Sequence, residues 1–243
     1  MRSLGHMTVG GILKSAAERF AEREALFCVA TGRRFTFRQL NARSNRLANA
    51  LLTLPLARRS VVAFICSNRA EIVETYAALA KSGLVGLPLN YRLAPTESAA
   101  LINAVGAVAV LCEARFGSVL DHLYAHCPAL AHAIWIGEHA PESCLRYEEL
   151  LSAAPASEPD VDIDDQAPFY FNLTSGTTGL PKAYVLTQHS ATAIHPSILA
   201  TDSRADDVSL VLFPAFGRVG FGNVLHAMTI GTRTVLANFD AAE

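Results

Sequence analysis

Residues 61–89 read VVAFICSNRAEIVETYAALAKSGLVGLPL, and this stretch decides the fold class. Val61 to Cys66 is an unbroken apolar run, the pattern of a strand buried on both faces. Ser67 and Asn68 stand where a helix needs a cap, and the spacing predicts a helix over Arg69 to Lys81, ending before Gly83. Leu84 to Leu89 is apolar again and predicts a second strand. A strand, a helix and a strand in this order imply a parallel βαβ unit.

The alternation continues outward. Toward the C-terminus, Thr96 is placed to cap a helix reaching Val105. Ala107 to Cys112 reads as a strand, Arg115 to His126 as a helix and His132 to Ile136 as a strand. Toward the N-terminus, Ile12, Leu13, Ala16, Ala17 and Phe20 recur at helical spacing within residues 11–22. After the Thr31-Gly32 turn, Arg33 to Thr36 reads as a short strand. Thr36-Phe37-Arg38-Gln39 has the capping-box form, opening a helix to about Leu52. Residues 153–168 break the rhythm with Pro155, Pro159, Pro168 and four aspartates, and read as a polar linker. Two units are therefore expected, 1–152 and 169–243. In the second, strands are expected at Phe169 to Leu173, Tyr184 to Leu186, Ser209 to Phe213 and Thr232 to Ala237. Helices are expected at Gln188 to Leu199 and Val219 to Met228. The expected class is α/β, with parallel-rich sheets flanked by helices.

Composition sets the bounds. Of 243 residues, 51% are hydrophobic and 17% charged, enough to build a core and too apolar for a disordered chain. Lys and Arg number 20 against 22 Asp and Glu, so the basic excess of a nucleic-acid binder is missing. The longest apolar stretch, Ala104 to Cys112, is far short of the ~20 residues of a membrane-spanning helix. The first seven residues hold no apolar run, so no secretory leader is expected. The five cysteines are odd in number, lack a Cys-x-x-Cys pair and mostly sit in apolar strings. Reduced thiols and a cytoplasmic location are the expectation.

The segment with chemistry is Thr174-Ser175-Gly176-Thr177-Thr178-Gly179-Leu180-Pro181-Lys182, directly after an apolar strand. Gly176 and Gly179 allow backbone amides to approach a ligand closely, and successive amides in such a turn form an anion cradle. The hydroxyls of Thr174, Ser175, Thr177 and Thr178 can donate to phosphate oxygens, and Lys182 adds a mobile positive charge. The order Gly-x-x-x-x-Gly-Lys-Ser/Thr is absent, so this is not a Walker A loop. No metal site is expected: His122 and His126 share a helical face, but no third ligand is suggested nearby. His189, His195 and His226 follow the loop without a pattern that assigns them a role.

Thr174 to Lys182 resembles the phosphate loop of the AMP-forming adenylating enzymes, the superfamily of acyl-CoA synthetases, peptide-synthetase adenylation domains and luciferases. The resemblance runs through the chain from about Met7. It includes the segment Thr36 to Ala48, the strand-turn Gly86-Leu87-Pro88-Leu89-Asn90 and the strand Gly231 to Leu236. Leu212-Phe213-Pro214-Ala215-Phe216 is similar to the segment lining the acyl pocket.

The resemblance implies attack of a carboxylate on ATP, giving an acyl-adenylate, followed by transfer to the thiol of CoA. Lys182 would be catalytic. Thr174, Ser175, Gly176, Thr177, Thr178, Gly179 and Lys182 would bind phosphate, and Mg²⁺ would share its charge. Phe213, Phe216, Gly217 and Arg218 are candidates for the substrate pocket. Many relatives carry His where Gly217 stands, and Arg218 raises the expectation of a second carboxylate or polar tail on the substrate. Downstream segments for adenine, ribose and a mobile domain with a catalytic lysine are not found. The chain therefore resembles the N-terminal portion of such an enzyme and is expected not to complete adenylation alone. The resemblance points to a fatty-acid or other acyl–CoA ligase, with a small-molecule carboxylic acid, ATP and CoA as expected partners and a homo-oligomer left open. Rival readings are an adenylation domain loading a carrier protein, a non-catalytic interaction module and an unrelated NTPase.

Overall fold

The structure is a computed structural model that describes residues 8–174, 182–193 and 202–239. The stretch 61–89 forms β3 (Val61–Ile65), α3 (Ala70–Ser82) and β4 (Val85–Pro88), with β3 and β4 parallel. Around them lie α1 (Val9–Arg19), β1 (Glu24–Cys28), β2 (Arg34–Thr36) and α2 (Phe37–Thr53) on the N-terminal side. On the other side follow α4 (Pro95–Val105), β5 (Ala107–Glu113), α5 (Gly117–His126), β6 (His132–Ile136), β7 (Leu145–Arg146) and α6 (Tyr147–Ala153). Then come β8 (Pro168–Leu173), β9 (Ala183–Thr187), α7 (Gln188–Thr192), β10 (Val208–Val211), α8 (Arg218–Ile230) and β11 (Arg233–Leu236).

Two sheets result. The larger has seven strands in the order β7-β6-β5-β3-β4-β8-β9, and the smaller has four in the order β10-β11-β1-β2. All neighbours are parallel except β8–β9 and β1–β2. This is the expected α/β class. The antiparallel β8–β9 pair departs from uniform alternation for a simple reason: a parallel return needs a crossover of about a dozen residues or more, and Thr174 to Lys182 is too short to provide one.

The strands of the large sheet show the period of two that burial on both faces demands. Ala63 and Ile65 face one apolar cluster with residues of α4 and α5, while Val62 and Phe64 face the other with α1, α2 and α3. Every residue of α3 is buried, because it packs against α2, α1 and strands of both sheets. This explains its run of alanines, and it also buries Glu71, Glu74 and Lys81, each of which is paired.

Local expectations met mixed outcomes. The capping box at α2 is present: the Thr36 hydroxyl accepts from the Gln39 amide at 3.2 Å, and the Gln39 carbonyl oxygen accepts from the Thr36 amide at 2.9 Å. Thr96 is not a cap: α4 begins at Pro95, suited to a first turn, and the Glu97 carboxylate accepts from the Ala94 amide at 2.8 Å. Ser67 and Asn68 do not cap α3 either. Ser67 donates to Glu113 at 2.7 Å, and Asn68 reaches across to the second sheet. Three elements went unforeseen, β1, β7 and α6: β7 is only two residues long and α6 has two glutamates in its first turn, whereas the apolar run Ala25 to Ala30 at β1 was a legible strand signal. The expected helix from Gln188 is seen as α7, and its expected continuation to Leu199 reaches beyond the described residues.

The expected units 1–152 and 169–243 do not coincide with the sheets. β8 and β9 extend the sheet built by β3 to β7, while β10 and β11 join β1 and β2. The segment 153–168 is held through Glu158, which binds the buried Lys81 at 2.7 Å and accepts from Asn41 and Asn45.

Candidate functional site

The parallel strands β3, β4 and β8 end on one edge, where open α/β sheets bind ligands. That edge carries Asn68 after β3, Asn90 after β4 and Thr174 after β8.

Thr174 and Lys182 close the hydroxyl-rich loop. The Thr174 amide donates to the Lys182 carbonyl at 2.9 Å, and the Thr174 hydroxyl donates to the same oxygen at 3.3 Å. Below them Leu173 pairs with Ala183 in the antiparallel ladder. Both Thr174 and Lys182 are exposed, and the Lys182 ammonium makes no ion pair among the described residues. Ser175, Gly176, Thr177, Thr178 and Gly179 lie outside the described residues.

Thr174 also lines a cavity of about 230 Å³, together with residues that include Asn90, Asn172, Phe216 and Gly217. Thr174, Phe216 and Gly217 are thereby brought together. Asn172 donates to the Tyr184 hydroxyl at 2.5 Å across the β8–β9 pair, so the amide is oriented. The Phe216 ring meets Tyr91 edge-on at 5.2 Å, and its carbonyl accepts from the buried Tyr76 hydroxyl at 3.2 Å. Tyr76 in turn stacks on Phe221 of α8 at 3.9 Å.

Phe213 does not line that cavity. It is exposed and borders a second, largely apolar one of about 400 Å³ with Asn68, Tyr91, Leu212 and Phe239. Arg218 lines neither. It is the first residue of α8, exposed and without an ion pair among the described residues. Burial holds the Tyr170 phenol well above its ordinary range, and the positive charge of Arg218 acts in the opposite direction.

Glycines shape the segment 213–220 differently. Gly217 has φ −92°, and an added Cβ would meet only the Pro214 carbonyl at 3.4 Å, an ordinary contact. A larger side chain therefore fits the backbone there, and glycine leaves the cavity beside Phe216 open. Gly220 is different: a Cβ would sit 2.4 Å from the Pro214 carbonyl oxygen, so α8 presses backbone to backbone against the turn.

Sequence reasoning missed Asn68, Tyr76, Asn90, Tyr91 and Asn172. Asn68 was visible only as a cap candidate, and Asn90 only as part of a strand-turn. Tyr76 reads as one more apolar helix position. The histidines play other parts. His122 and His126 stack at 4.0 Å on α5, and His226 approaches the Ser203 hydroxyl at 3.4 Å, with burial lowering its pKa. No cluster of three metal-ligating side chains occurs among the described residues, and no helix there is long and apolar enough to cross a membrane.

The long-chain-fatty-acid–CoA ligase FadD13 of Mycobacterium tuberculosis is 30% identical over 238 residues, covering 97% of this chain and 46% of that protein. The indoleacetate–CoA ligase of Aromatoleum aromaticum is 34% identical over 239 residues, covering 93% of this chain and 44% of that one. A fatty acid–[acyl-carrier-protein] ligase, ScoC of Streptomyces coeruleorubidus, is 31% identical over 221 residues, 87% of this chain and 40% of its own. The chain thus spans about half the length, or less, of the curated relatives it matches. Among solved structures, the inhibitor-bound N-terminal domain of FACL13 from Mycobacterium tuberculosis superposes with a TM-score of 0.86 at 29% identity, covering 97% of this chain and 58% of that one. The family model described as AMP-binding enzyme matches residues 13–243, and the chain belongs to that family.

Proposed function

We propose that the protein containing this chain is an ATP-dependent, AMP-forming acid–thiol ligase acting on a small-molecule carboxylic acid, a fatty or other acyl acid. The observation that carries this reading is the Thr174–Lys182 closure. It brings Thr174 and Lys182, the two ends of the hydroxyl-rich segment, together at the end of β8, with Thr174 lining the cavity beside Phe216 and Gly217.

In the first step a carboxylate oxygen bonds to the α-phosphorus of ATP. The bond to the β-phosphate bridging oxygen breaks, and pyrophosphate leaves with the electron pair. In the second step a thiolate attacks the acyl carbon, and AMP leaves. Nucleotidyl transfer of this kind needs positioning and charge neutralisation more than a protein nucleophile. The Lys182 ammonium, free of ion pairs among the described residues, would hold the departing pyrophosphate with the hydroxyls of Thr174, Ser175, Thr177 and Thr178. Gly176 and Gly179 would let the loop backbone approach it. Mg²⁺, when bound with the nucleotide, offsets the phosphate charge. The described groups at the loop are hydroxyl, amide and ammonium, donors suited to the phosphates themselves.

Phe216 and Gly217 would border the acid, with Phe213 farther out in the apolar cavity. Arg218 follows Gly217 but lines neither cavity, so it would meet only a substrate bearing a second carboxylate or polar tail that extends beyond them. CoA is the favoured acceptor, and the location cytoplasmic. The resemblance to ScoC supports a second reading, in which the acceptor is the phosphopantetheine thiol of a carrier protein.

The test uses the product of the complete reading frame. Acid-dependent exchange of pyrophosphate into ATP, with AMP as the nucleotide product, is the expected result. ADP formation, or no exchange across aliphatic, aryl and dicarboxylic acids, overturns the reading. CoA compared with a phosphopantetheinylated carrier then separates the two acceptors.

A further inference from the structure

Asn68 uses its whole side chain to tie two distant segments, 213–215 and the residue after β11, to the end of β3. Its Nδ2 donates to the Phe213 carbonyl at 3.0 Å and to the Ala237 carbonyl at 2.8 Å. Its Oδ1 accepts from the Ala215 amide at 2.7 Å, and its own backbone amide donates to the Asn238 side chain at 2.9 Å. The residue is buried at 2% exposure, and its bond from the Ala215 amide is fully buried. A buried amide satisfied on both ends this way is costly to disturb, since a lost partner leaves unpaired groups behind.

The residues pinned are informative. Phe213 and Ala215 flank Pro214, and the Pro214 carbonyl accepts from the Gly217 amide at 3.0 Å. One residue after Ala215, the Phe216 carbonyl accepts from the Tyr76 hydroxyl of α3, the helix that follows Asn68. The β3–α3 corner thus fixes the backbone of 213–217 at three points, Phe213, Ala215 and Phe216. Those points set where the Phe216 ring and the open face of Gly217 stand relative to Thr174. Neither Asn68 nor Tyr76 lines the cavity that holds Thr174.

We propose that Asn68 is a positioning residue for acid binding, acting through the 213–217 segment with Tyr76 as its second anchor. This rests on the reading of the cavity beside Phe216 and Gly217 as the acid site. Asn68 orients the wall against which the acid lies, and leaves the nucleotide loop at Thr174–Lys182 untouched. Its loss therefore separates the two substrates kinetically.

The test compares wild type, Asn68→Ala and Tyr76→Phe in the product of the complete reading frame. Tyr76→Phe keeps the ring stacked on Phe221 and removes only the hydroxyl, so it serves where Asn68→Ala folds poorly. Asn68→Ala is expected to raise KM for the acid about tenfold, the scale of one lost buried hydrogen bond, with KM for ATP within about twofold. Tyr76→Phe is expected to shift the same constant by about threefold. Amide exchange at Ala215 should quicken about tenfold in Asn68→Ala, while that of β5 stays unchanged. A merely structural role would lower kcat with both KM values unmoved, and that result overturns the proposal. Unchanged exchange at Ala215 also overturns it. A wild type without acid-dependent exchange overturns the functional reading, and the acid-positioning role falls with it.

Discussion

The Thr174 amide donates to the Lys182 carbonyl at 2.9 Å, so the two ends of the hydroxyl-rich loop meet at one point. The tie fixes the loop's footing to the β8–β9 ladder without using the Lys182 side chain. A substitution at Lys182 therefore removes charge and leaves the backbone closure in place.

Lys182→Ala is expected to lower the rate of acid-dependent pyrophosphate exchange by about 10²–10³, the scale of losing one preorganised charge-stabilising group. The exposed side chain carries little of the fold, so the melting temperature should stay within a degree or two of wild type, about 0.5 kcal/mol. A rate loss below threefold would refute the role.

Gly220→Ala tests the packing of α8 on the turn before it. The new methyl group would lie 2.4 Å from the Pro214 carbonyl oxygen and 2.7 Å from that of Phe213. Backbone on both sides leaves nothing soft to give way, and a loss of about 1–3 kcal/mol in urea unfolding is expected. Gly217→Ala, whose Cβ meets only an ordinary contact at 3.4 Å, should stay within about 0.5 kcal/mol of wild type.

Arg43 holds the fully buried Glu74 in two bonds, at 2.6 and 3.1 Å, while the Tyr147 hydroxyl donates to the same carboxylate at 2.6 Å. Burial pushes the Glu74 carboxyl above its ordinary range, and the bonds from Arg43 and Tyr147 act against that rise. Arg43→Met strands the carboxylate and is expected to cost about 3–5 kcal/mol. The double variant Arg43→Met/Glu74→Met removes both charges and should recover most of the loss. Equal instability of the single and double variants in urea would sink the pairing argument.

Glu158 supplies a pH dependence with a defined sign. Burial raises its pKa, but the hydrogen bonds from Lys81, Asn41 and Asn45 together with the Lys81 charge outweigh burial and hold the carboxyl below its ordinary value of 4.5. A depressed carboxylate adds stability that is present above the unfolded pKa and is lost as pH falls through the folded one. Stability should therefore decline as pH drops below about 4.5, and less steeply in Glu158→Gln. Parallel pH profiles for the two proteins would count against the assignment.

The sequence spoke most clearly where burial alone governs. The apolar runs of β3 and β4 around α3 are legible because a strand covered on both faces has no polar side to confuse the pattern. Ser67 and Asn68 misled because the residues that cap helices also bridge buried carbonyls and carboxylates. Only the arrival of Glu113, Phe213 and Ala237 in space decides between the two. The charges of α3 carried no sign of their burial either, since Arg43, Tyr147 and Glu158 come from other elements. At the site, the loop was legible as chemistry, while the wall at 213–217 and its anchors were fixed by contacts more than a hundred residues apart.

The pairing of β1 with β11 sets an order of events during synthesis. Leu26 lies opposite Thr234, so the early strand meets its parallel neighbour only after about two hundred further residues have been made. At roughly 5–20 residues per second, β1 waits on the order of 10–40 s beside β2 with its other edge open. A bare strand edge is a template for pairing with the wrong chain. The ribosome-bound intermediate is therefore the stage at which this protein is most exposed to aggregation, and where a chaperone has the longest time to act.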